Sequence, residues 1–454
     1  MNILNDSNEN LYIEKITEII EKQDILALRK YMEELEPADV AEVVEELDEE
    51  LLHELTELMD EDDLASLMEE SDDKMRIQIA KSLNNQRLLV AFQYMQKDDI
   101  VDMLGDFPIG RRKEVINLMK ADERKIITTM LEYPEDSAGG IMSTAYIALK
   151  EDLNIAKGLE KIREIGPKTE VIETIYVIND RRELVGCVDL RKLLAAKRDD
   201  KISDIMDAHC ISIEPETDQE EAANLVSKYD LNAIPVVSKS KQILGIITVD
   251  DVIDVIVEEY NEDMLQMAGV SKEESLDSRL GSSIRMRLPW LLVNLITAFL
   301  ASFTVKLFES TIEQVVSLSA IMTIVSGMGG NAGSQTMSIM VRQLATDKLK
   351  WSKCVKPFLK ELLLGVVNGA ATGLVTGIIV YFMYGNIYLG LIVLIAMIGN
   401  LVIAGIFGFL VPYVLDKFHA DPAVSSSIFV TTATDVLGFF IFLGLARLFL
   451  QLLI

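Results

Sequence analysis

Residues 362–415, LLLGVVNGAATGLVTGIIVYFMYGNIYLGLIVLIAMIGNLVIAGIFGFLVPYVL, contain no Asp, Glu, Lys or Arg over 54 positions. A helix needs about 20 apolar residues to cross a hydrocarbon core of about 30 Å, so this run is too long for one span. Tyr384-Gly385-Asn386 interrupts it near its middle, and it reads as two membrane helices joined by a short turn. Working outward, the 18 uncharged residues between Arg287 and Lys306 and the 28 between Glu313 and Arg342 give two earlier spans. Residues 422–446, with Asp435 as their single charge, give a fifth.

Charge and hydropathy are segregated along the chain. The 454 residues carry 43 Lys and Arg against 72 Asp and Glu, a net charge of -29, yet mean hydropathy is +0.25. Residues 285–454 hold 11 basic and 7 acidic side chains, which leaves residues 1–284 with 32 and 65, net -33. A half this acidic repels phosphate backbones, which argues against nucleic acid as a partner and favours cations. Cys187, Cys210 and Cys354 fall in three different segments, a scatter that argues against a disulfide framework or a structural zinc site. The acidic half therefore belongs in a reducing cytoplasm. The opening MNILNDSNENLYIEK has neither the basic nor the apolar region of a signal peptide.

Basic residues concentrate in short cytoplasmic loops. Arg285 and Arg287 precede the first span; Arg342, Lys348, Lys350, Lys353, Lys356 and Lys360 separate the second from the third; Lys417 separates the fourth from the fifth. The expectation is a multi-pass protein of the plasma membrane, with its N-terminus cytoplasmic and its C-terminus extracellular.

The spans carry more than an anchor needs. Gly365, Gly369, Gly373 and Gly377 recur every four residues, a spacing that lets another helix backbone approach closely. Asn294, Asn331, Gln335, Asn368 and Asn400 are amides that in lipid need partners in other helices or a wet cavity. Asp435 follows Thr431, Thr432 and Thr434 inside an apolar helix, where an ionised carboxylate costs at least about 2.5 kcal/mol. Lys306 and Arg447 sit near helix ends, so no basic residue within the spans neutralises it. A cation site lining a pore is favoured over a protonated structural acid bonded to an amide. The glycines of SGMGGNAGSQ, residues 326–335, lack the strand and amphipathic helix of a dinucleotide loop. They fit a close helix contact, or a break exposing carbonyls beside a pore.

Residues 1–133 show helical periodicity, with Asp39-Val40-Ala41, Asp63-Leu64-Ala65 and Asp99-Ile100-Val101 each opening an amphipathic helix at unequal spacing. Residues 42–73 hold 16 acids and no Lys or Arg. An internal repeat follows: IYVINDRRELVGCVDLRKLL (175–194) aligns without gaps with IPVVSKSKQILGIITVDDVI (234–253), 59 residues on. Each reads as strand, hairpin, strand and helix, and each has a similar opening, IMST at 141–144 and DIMD at 204–207. In the helix leaving the second repeat, Asp251, Asp254, Glu258 and Glu262 form one stripe, with Glu259 and Asp263 beside it. Like charges so spaced oppose the helix by about 0.2–0.5 kcal/mol per pair, a penalty that divalent cations would remove. A merely solvated face is the alternative.

The duplicated unit resembles a tandem pair of CBS domains, cytosolic modules that typically sense adenosine nucleotides or ions. Their nucleotide-binding pattern, G-h-x-S/T-x-x-D, is met in the second repeat by Gly245, Thr248 and Asp251. The first repeat has Gly186, Asp189 and Lys192 instead, so at most the second is competent for ATP, and a nucleotide-free pair is the alternative. With GMGGNAGSQ (327–335), GNLVIAG (399–405), DPAV (421–424) and TTATD (431–435), the order of parts resembles the MgtE family of magnesium channels over nearly the whole chain.

The expected fold is therefore a multidomain α plus α/β membrane protein. An acidic helical superhelix covers 1–133, CBS repeats cover 134–200 and 201–260, a plug-like connecting helix 261–284, and five transmembrane helices 285–454. The resemblance implies a homodimer with its pore between two membrane domains and a hydrated Mg²⁺ held by the paired Asp435. It also implies closure when cytosolic Mg²⁺ binds regulatory acids. These are Asp98 and Asp102, then Asp218, Glu220 and Asp230, then Asp251, Asp254, Glu259, Glu262 and Asp263. The chain departs from the family at Ser427-Ile428, where a proline usually precedes the TTATD-like run.

Enzymatic chemistry is not expected. Gly105 to Gly110 is followed by Arg111-Arg112 rather than a Walker A lysine, and His53, His209 and His419 are isolated. A coupled divalent-cation exporter and a membrane-anchored CBS sensor remain as alternative readings.

Overall fold

The computed structural model describes residues 6–454 apart from 170, 273, 277, 347–350, 419, 424 and 425. Lys348, Lys350, His419 and Val424, used in the sequence reading, lie outside the described residues. The chain divides into two units, Met1–Ile256 and Val257–Ile454.

The first unit opens with ten short helices, α1 (Asp6–Glu21) to α10 (Ala121–Met130). They include α4 (Glu49–Leu58), α5 (Glu61–Glu70), α6 (Asp73–Ser82) and α8 (Lys97–Asp106). Part of the acidic run has a local purpose here. Asp48, Asp60 and Asp72 cap α4, α5 and α6 by accepting from first-turn N–H groups, and Glu49, Glu50, Glu61, Asp62 and Asp63 complement the positive ends of those helices. The superhelix shares one apolar core with the second repeat: Leu67, Met103 and Leu104 belong to the same buried cluster as Ile213, Ala222, Ile234, Ile247 and Val252.

The two repeats have the hairpins the sequence predicts. In the first, β1 (Ala148–Lys150) pairs parallel with β2 (Thr174–Ile178) across α11 (Ile155–Ile165), and β2 pairs antiparallel with β3 (Leu184–Asp189). Two short helices, α12 (Leu190–Ala195) and α13 (Ile202–Ile205), lead on to the second repeat. There α14 (Gln219–Tyr229) precedes β4 (Ala233–Val237), which pairs antiparallel with β5 (Ile243–Thr248). Ile175 faces Val188 as Ile234 faces Ile247, and both hairpins slip register at the same place, Val177/Ile178 and Val236/Val237.

The openings of the repeats are exchanged. Ser143, from IMST, bridges Ile246 of β5, and Asp207, from DIMD, bridges Cys187 of β3. Gly186 and Gly245 make this possible: a Cβ on either would stand 2.6 Å from the carbonyl oxygen of the crossing segment, Asp207 or Ser143. Neither repeat completes its own sheet, so the pair is one structural unit.

Helix α15 (Val249–Met267) carries the chain into the second unit. The expected connecting helix over 261–284 is not continuous. Gly269 takes φ +75°, its N–H bonds Gln266 O, and Val270 N–H bonds Leu265 O, a Schellman stop. The following helices are α16 (Leu280–Lys306), α17 (Glu309–Gln314), α18 (Ser317–Thr346), α19 (Trp351–Tyr384), α20 (Ile387–Lys417), α21 (Ser426–Leu448) and α22 (Leu450–Leu453).

Among the described residues four helices, α16, α19, α20 and α21, are long and apolar enough to cross a membrane. At 30 residues α18 has the length, but Asn331, Gln335 and its glycines lower its hydropathy, so composition counts four spans and not the expected five. Helix α20 is the hub, packed against α18, α19 and α21. Over its apolar window 56% of residues are buried, against 11% for α16, which packs on α21.

The glycine stripe of α19 is the seam with α20. A Cβ on Gly365, Gly369 or Gly377 would come within 2.7, 2.6 or 2.8 Å of Leu401 O, Ile398 Cα or Gly390 O. Gly369→Val should therefore force the helices apart at a cost of about 1–3 kcal/mol. That cost is expected as a lower unfolding midpoint of the purified protein in detergent. Gly330→Ala, where a Cβ meets nothing within 4 Å, should leave the midpoint unchanged. Equal midpoints for the two variants would contradict the close seam.

Candidate functional site

Asp435 lies half-buried on α21, and Ser326 of α18 donates its hydroxyl hydrogen bond to Asp435 Oδ1. The nearby threonines do not supply that bond. Thr431 and Thr432 donate to Ile428 O at 3.2 and 2.6 Å, and Thr434 donates to Thr431 O at 3.0 Å, so their hydroxyls are used within their own helix. Helix α21 begins at Ser426, so Ser427-Ile428 lie in its first turn.

Of the five amides, Asn400 is fully buried and the other four, Asn294, Asn331, Gln335 and Asn368, are exposed on the chain. Asn400 enters between two glycines: a Cβ on Gly329 of α18 would lie 2.2 Å from its Nδ2, and one on Gly438 of α21 would lie 2.6 Å from its Oδ1. Its Nδ2 donates to Val325 O at 2.7 Å, next to Ser326. Asn400 thus fixes α18 against α21 beside the Ser326–Asp435 bond. Gly333 meets Val430 in the same way, and α18 has no break, so Gly329 and Gly333 of the glycine run make close contacts, whereas a Cβ on Gly327 or Gly330 would meet nothing within 4 Å. One side of α18 is uncovered: Thr323, Gly327, Asn331 and Gln335, four residues apart, are all exposed.

The acids predicted in the helical domain, the second repeat and α15 fall into separate groups. Asp98 and Asp102 stand one turn apart on α8, half-buried and exposed. Between them in sequence lies Asp99, also half-buried. Burial pushes its carboxyl up to about 6, Arg76 opposes, and Asp251 and Glu70 add repulsion. Glu69 accepts Gln96 N–H at 2.6 Å and is pushed up to about 7, mainly by burial. Asp218 caps the start of α14, accepting Glu220 N–H at 2.9 Å, and Asp230 closes its end in the left-handed region at φ 51°. About 16 Å of helix separates those two acids, so they do not meet at one ion within the chain. Glu220 lies half-buried in the first turn of α14.

On α15, Thr248 and Asp251 form a reciprocal cap. Thr248 Oγ1 donates to Asp251 Oδ2 at 2.5 Å, and Asp251 N donates to Thr248 Oγ1 at 3.4 Å. The helix cap and the nucleotide pattern therefore coincide in sequence, and Thr248 is 1% exposed. Burial raises the Asp251 carboxyl, with the Thr248 bonds opposing. Asp254 is exposed and Glu259 half-buried. Glu262 is already paired, with Lys272 Nζ at 3.1 Å. Asp263 is pushed up to about 6 by burial first and then by Asp421, Glu259 and Glu262. Among the described residues no three His, Cys, Asp or Glu side chains converge to hold a metal ion.

The structure thus adds Ser326, Asp99, Glu69 and Asp421 to the sequence-predicted set. Asp421 was visible within DPAV, and Asp99 as a helix-opening acid; nothing local marked Ser326 or Glu69.

A profile described as divalent cation transporter matches residues 322–445, the MgtE intracellular N domain matches 10–136, and a CBS domain matches 202–258. The chain is 30% identical to the magnesium transporter MgtE of Bacillus subtilis over 83% of each chain. It is 32% identical to that of Thermus thermophilus over 74% of this chain and 75% of the relative. A crystal structure of the cytosolic domain of the Mg²⁺ channel MgtE in complex with ATP is similar at 29% identity and TM-score 0.51, covering 54% of this chain and 99% of that one.

The raised carboxyls fix the sign of the pH response. A group whose folded pKa lies above its unfolded value contributes stability that is full below the unfolded pKa and is lost as pH rises through the folded one. For Asp99 that window runs from about 4 to about 6, with a magnitude of up to roughly 3 kcal/mol. In chelator-treated protein, amides of α8 should become better protected from hydrogen exchange between pH 7 and pH 5, after correction for intrinsic rates. Asp99→Asn should flatten the change. An unaltered profile in that variant would remove Asp99 from the effect.

Proposed function

We propose that this chain, which belongs to the MgtE family of magnesium transporters, passes Mg²⁺ through the membrane as a homodimer, with Asp435 as the pore carboxylate. It is a transporter and not an enzyme. The observation that carries the reading is Asp435 itself, bonded to the Ser326 hydroxyl with no basic residue in the spans to neutralise it. Mg²⁺ gives up water reluctantly, and carboxylate and hydroxyl oxygens can bind its aqua shell from outside. The small polar side of α18, Thr323 to Gln335, would be costly against lipid. We assign it to the pore wall, which makes α18 the fifth span, leaves the N-terminus cytoplasmic and puts the C-terminus outside.

The cytoplasmic acids are the proposed sensor. Asp98, Asp102, Asp218, Glu220, Asp230, Asp251, Asp254, Glu259, Glu262 and Asp263 would share cytosolic Mg²⁺ with a second copy, which fits the absence of a three-ligand centre among the described residues of one chain. Bare, these surfaces repel; bridged by cations, they close the pore. ATP, where bound, is assigned to the second repeat around Gly245, Thr248 and Asp251. The likeness to the ATP-bound cytosolic domain supports this assignment.

In liposomes, Asp435→Asn should reduce Mg²⁺ flux at least about 10-fold at equal reconstitution, and Ser326→Ala should reduce it less. Wild-type flux in Asp435→Asn would remove the residue from the pore. Deleting residues 1–260 should give a leak insensitive to Mg²⁺ on the cytoplasmic side. A truncated protein that still shuts as that Mg²⁺ rises would put the sensor in the membrane half.

A further inference from the structure

Cys187 and Cys210, far apart in sequence terms, meet in the fold. Cys187 lies on β3, and the strand's neighbour there is Asp207: Cys187 N–H bonds Asp207 O at 2.9 Å, and Asp207 N–H bonds Cys187 O at 2.8 Å. Gly186 holds this crossing close, since any Cβ there would strike Asp207 O. Asp207 then turns the chain, its Oδ1 accepting His209 N–H at 2.8 Å, and Cys210 returns to the same side. Both cysteines line the buried cluster of Tyr176, Ala233, Ile243 and Ile246, where strands of the two repeats meet. There the Cys210 thiol donates to Ile211 O at 3.9 Å, on the side of the cluster that Cys187 also lines.

A second observation marks this spot. The Tyr176 hydroxyl, on a side chain 1% exposed, faces both sulfurs and has no hydrogen-bond partner among the described residues. An unpaired buried hydroxyl costs about 1–3 kcal/mol, so the place is not ordinary apolar filling. Both cysteines are half-buried, unlike the buried Cys354, so small reagents can reach them.

We propose that Cys187 and Cys210 form a reversible dithiol–disulfide pair, oxidised by a low-molecular-weight disulfide such as glutathione disulfide, that staples β3 of the first repeat to the linker entering the second. The neighbouring Cys210 holds the Cys187 thiol below its ordinary range, with burial and Asp207 opposing and Lys192 assisting, whereas Cys187 and burial push the Cys210 thiol up. Cys187 is thus the attacking sulfur. Its thiolate displaces one glutathione thiolate from the reagent, and that thiolate takes up the proton that Cys187 released. Cys210, losing its proton to solvent as it attacks, then displaces the second glutathione thiolate, which is protonated in turn. Two protein thiols are oxidised and one small disulfide is reduced to two thiols. Cys187 pairs with Asp207, three residues before Cys210, and both side chains pack on one cluster, so the proposed bond of roughly 2.05 Å joins neighbouring segments.

Full-length protein in detergent at pH 8 is incubated with excess glutathione disulfide, its thiols are counted, and peptides are mapped without reduction. Two of the three thiols should be lost to an internal Cys187–Cys210 disulfide that dithiothreitol reverses, with Cys354 retained. Cys210→Ser should stop at a mixed disulfide on Cys187, and Cys187→Ser should leave Cys210 at least about 10-fold less modified. Persistent mixed disulfides on both cysteines of the wild type, a link to Cys354, or three unreacted thiols would each overturn the pair.

Discussion

A carboxylate at membrane depth costs at least about 2.5 kcal/mol, and the protein meets that cost at Asp435 with a hydroxyl from Ser326 in place of a lysine or arginine. The carboxyl is therefore held in position by a neutral partner. Much of the surrounding bundle follows from that requirement. Asp435 and Ser326 are on different helices, so α18 and α21 must keep a fixed spacing, and Asn400 supplies it from the most buried helix. Gly329 and Gly438 leave the space that its amide fills. The glycine seam between α19 and α20 in turn braces the helix that carries Asn400.

The acidic half faces the same problem with weaker desolvation and many more charges. There the protein spends some of its acids locally, as helix caps at Asp48, Asp60, Asp72 and Asp218. Others are left close to one another: Asp99 with Asp251, and Asp263 with Asp421. Protons and divalent cations compete for such pairs, because each relieves the same repulsion. The proposed sensor, built this way, would respond to acidity as well as to metal, most strongly near the raised carboxyl values of about 6.

Periodicity and charge made the large features legible. The 59-residue repeat located both hairpins in register, and the four-residue glycine spacing located the α19–α20 seam. Ser326, Glu69 and the Cys187–Cys210 contact were not legible, because each depends on a partner distant in the chain that local sequence does not specify. The exchange of repeat openings was hidden for the same reason. IMST precedes the first repeat in sequence but completes the sheet of the second, a choice made by packing. The span count failed differently: the residues that give α18 an open polar side are the ones that lower its hydropathy.

Double use of residues has a consequence for how such sites are dissected. Asp251 is both a proposed ion and nucleotide ligand and the third residue of the cap on α15, and Asp218 both a proposed ligand and the cap of α14. Removing a cap costs about 0.5–2 kcal/mol by itself, enough to loosen the first turn, which carries Glu220 in α14 and precedes Asp254 in α15. An alanine at either position therefore changes metal affinity through the helix as well as through the lost carboxylate. Asparagine keeps an acceptor for the first-turn N–H and removes only the charge, so the difference between the two substitutions separates the cap from the ligand.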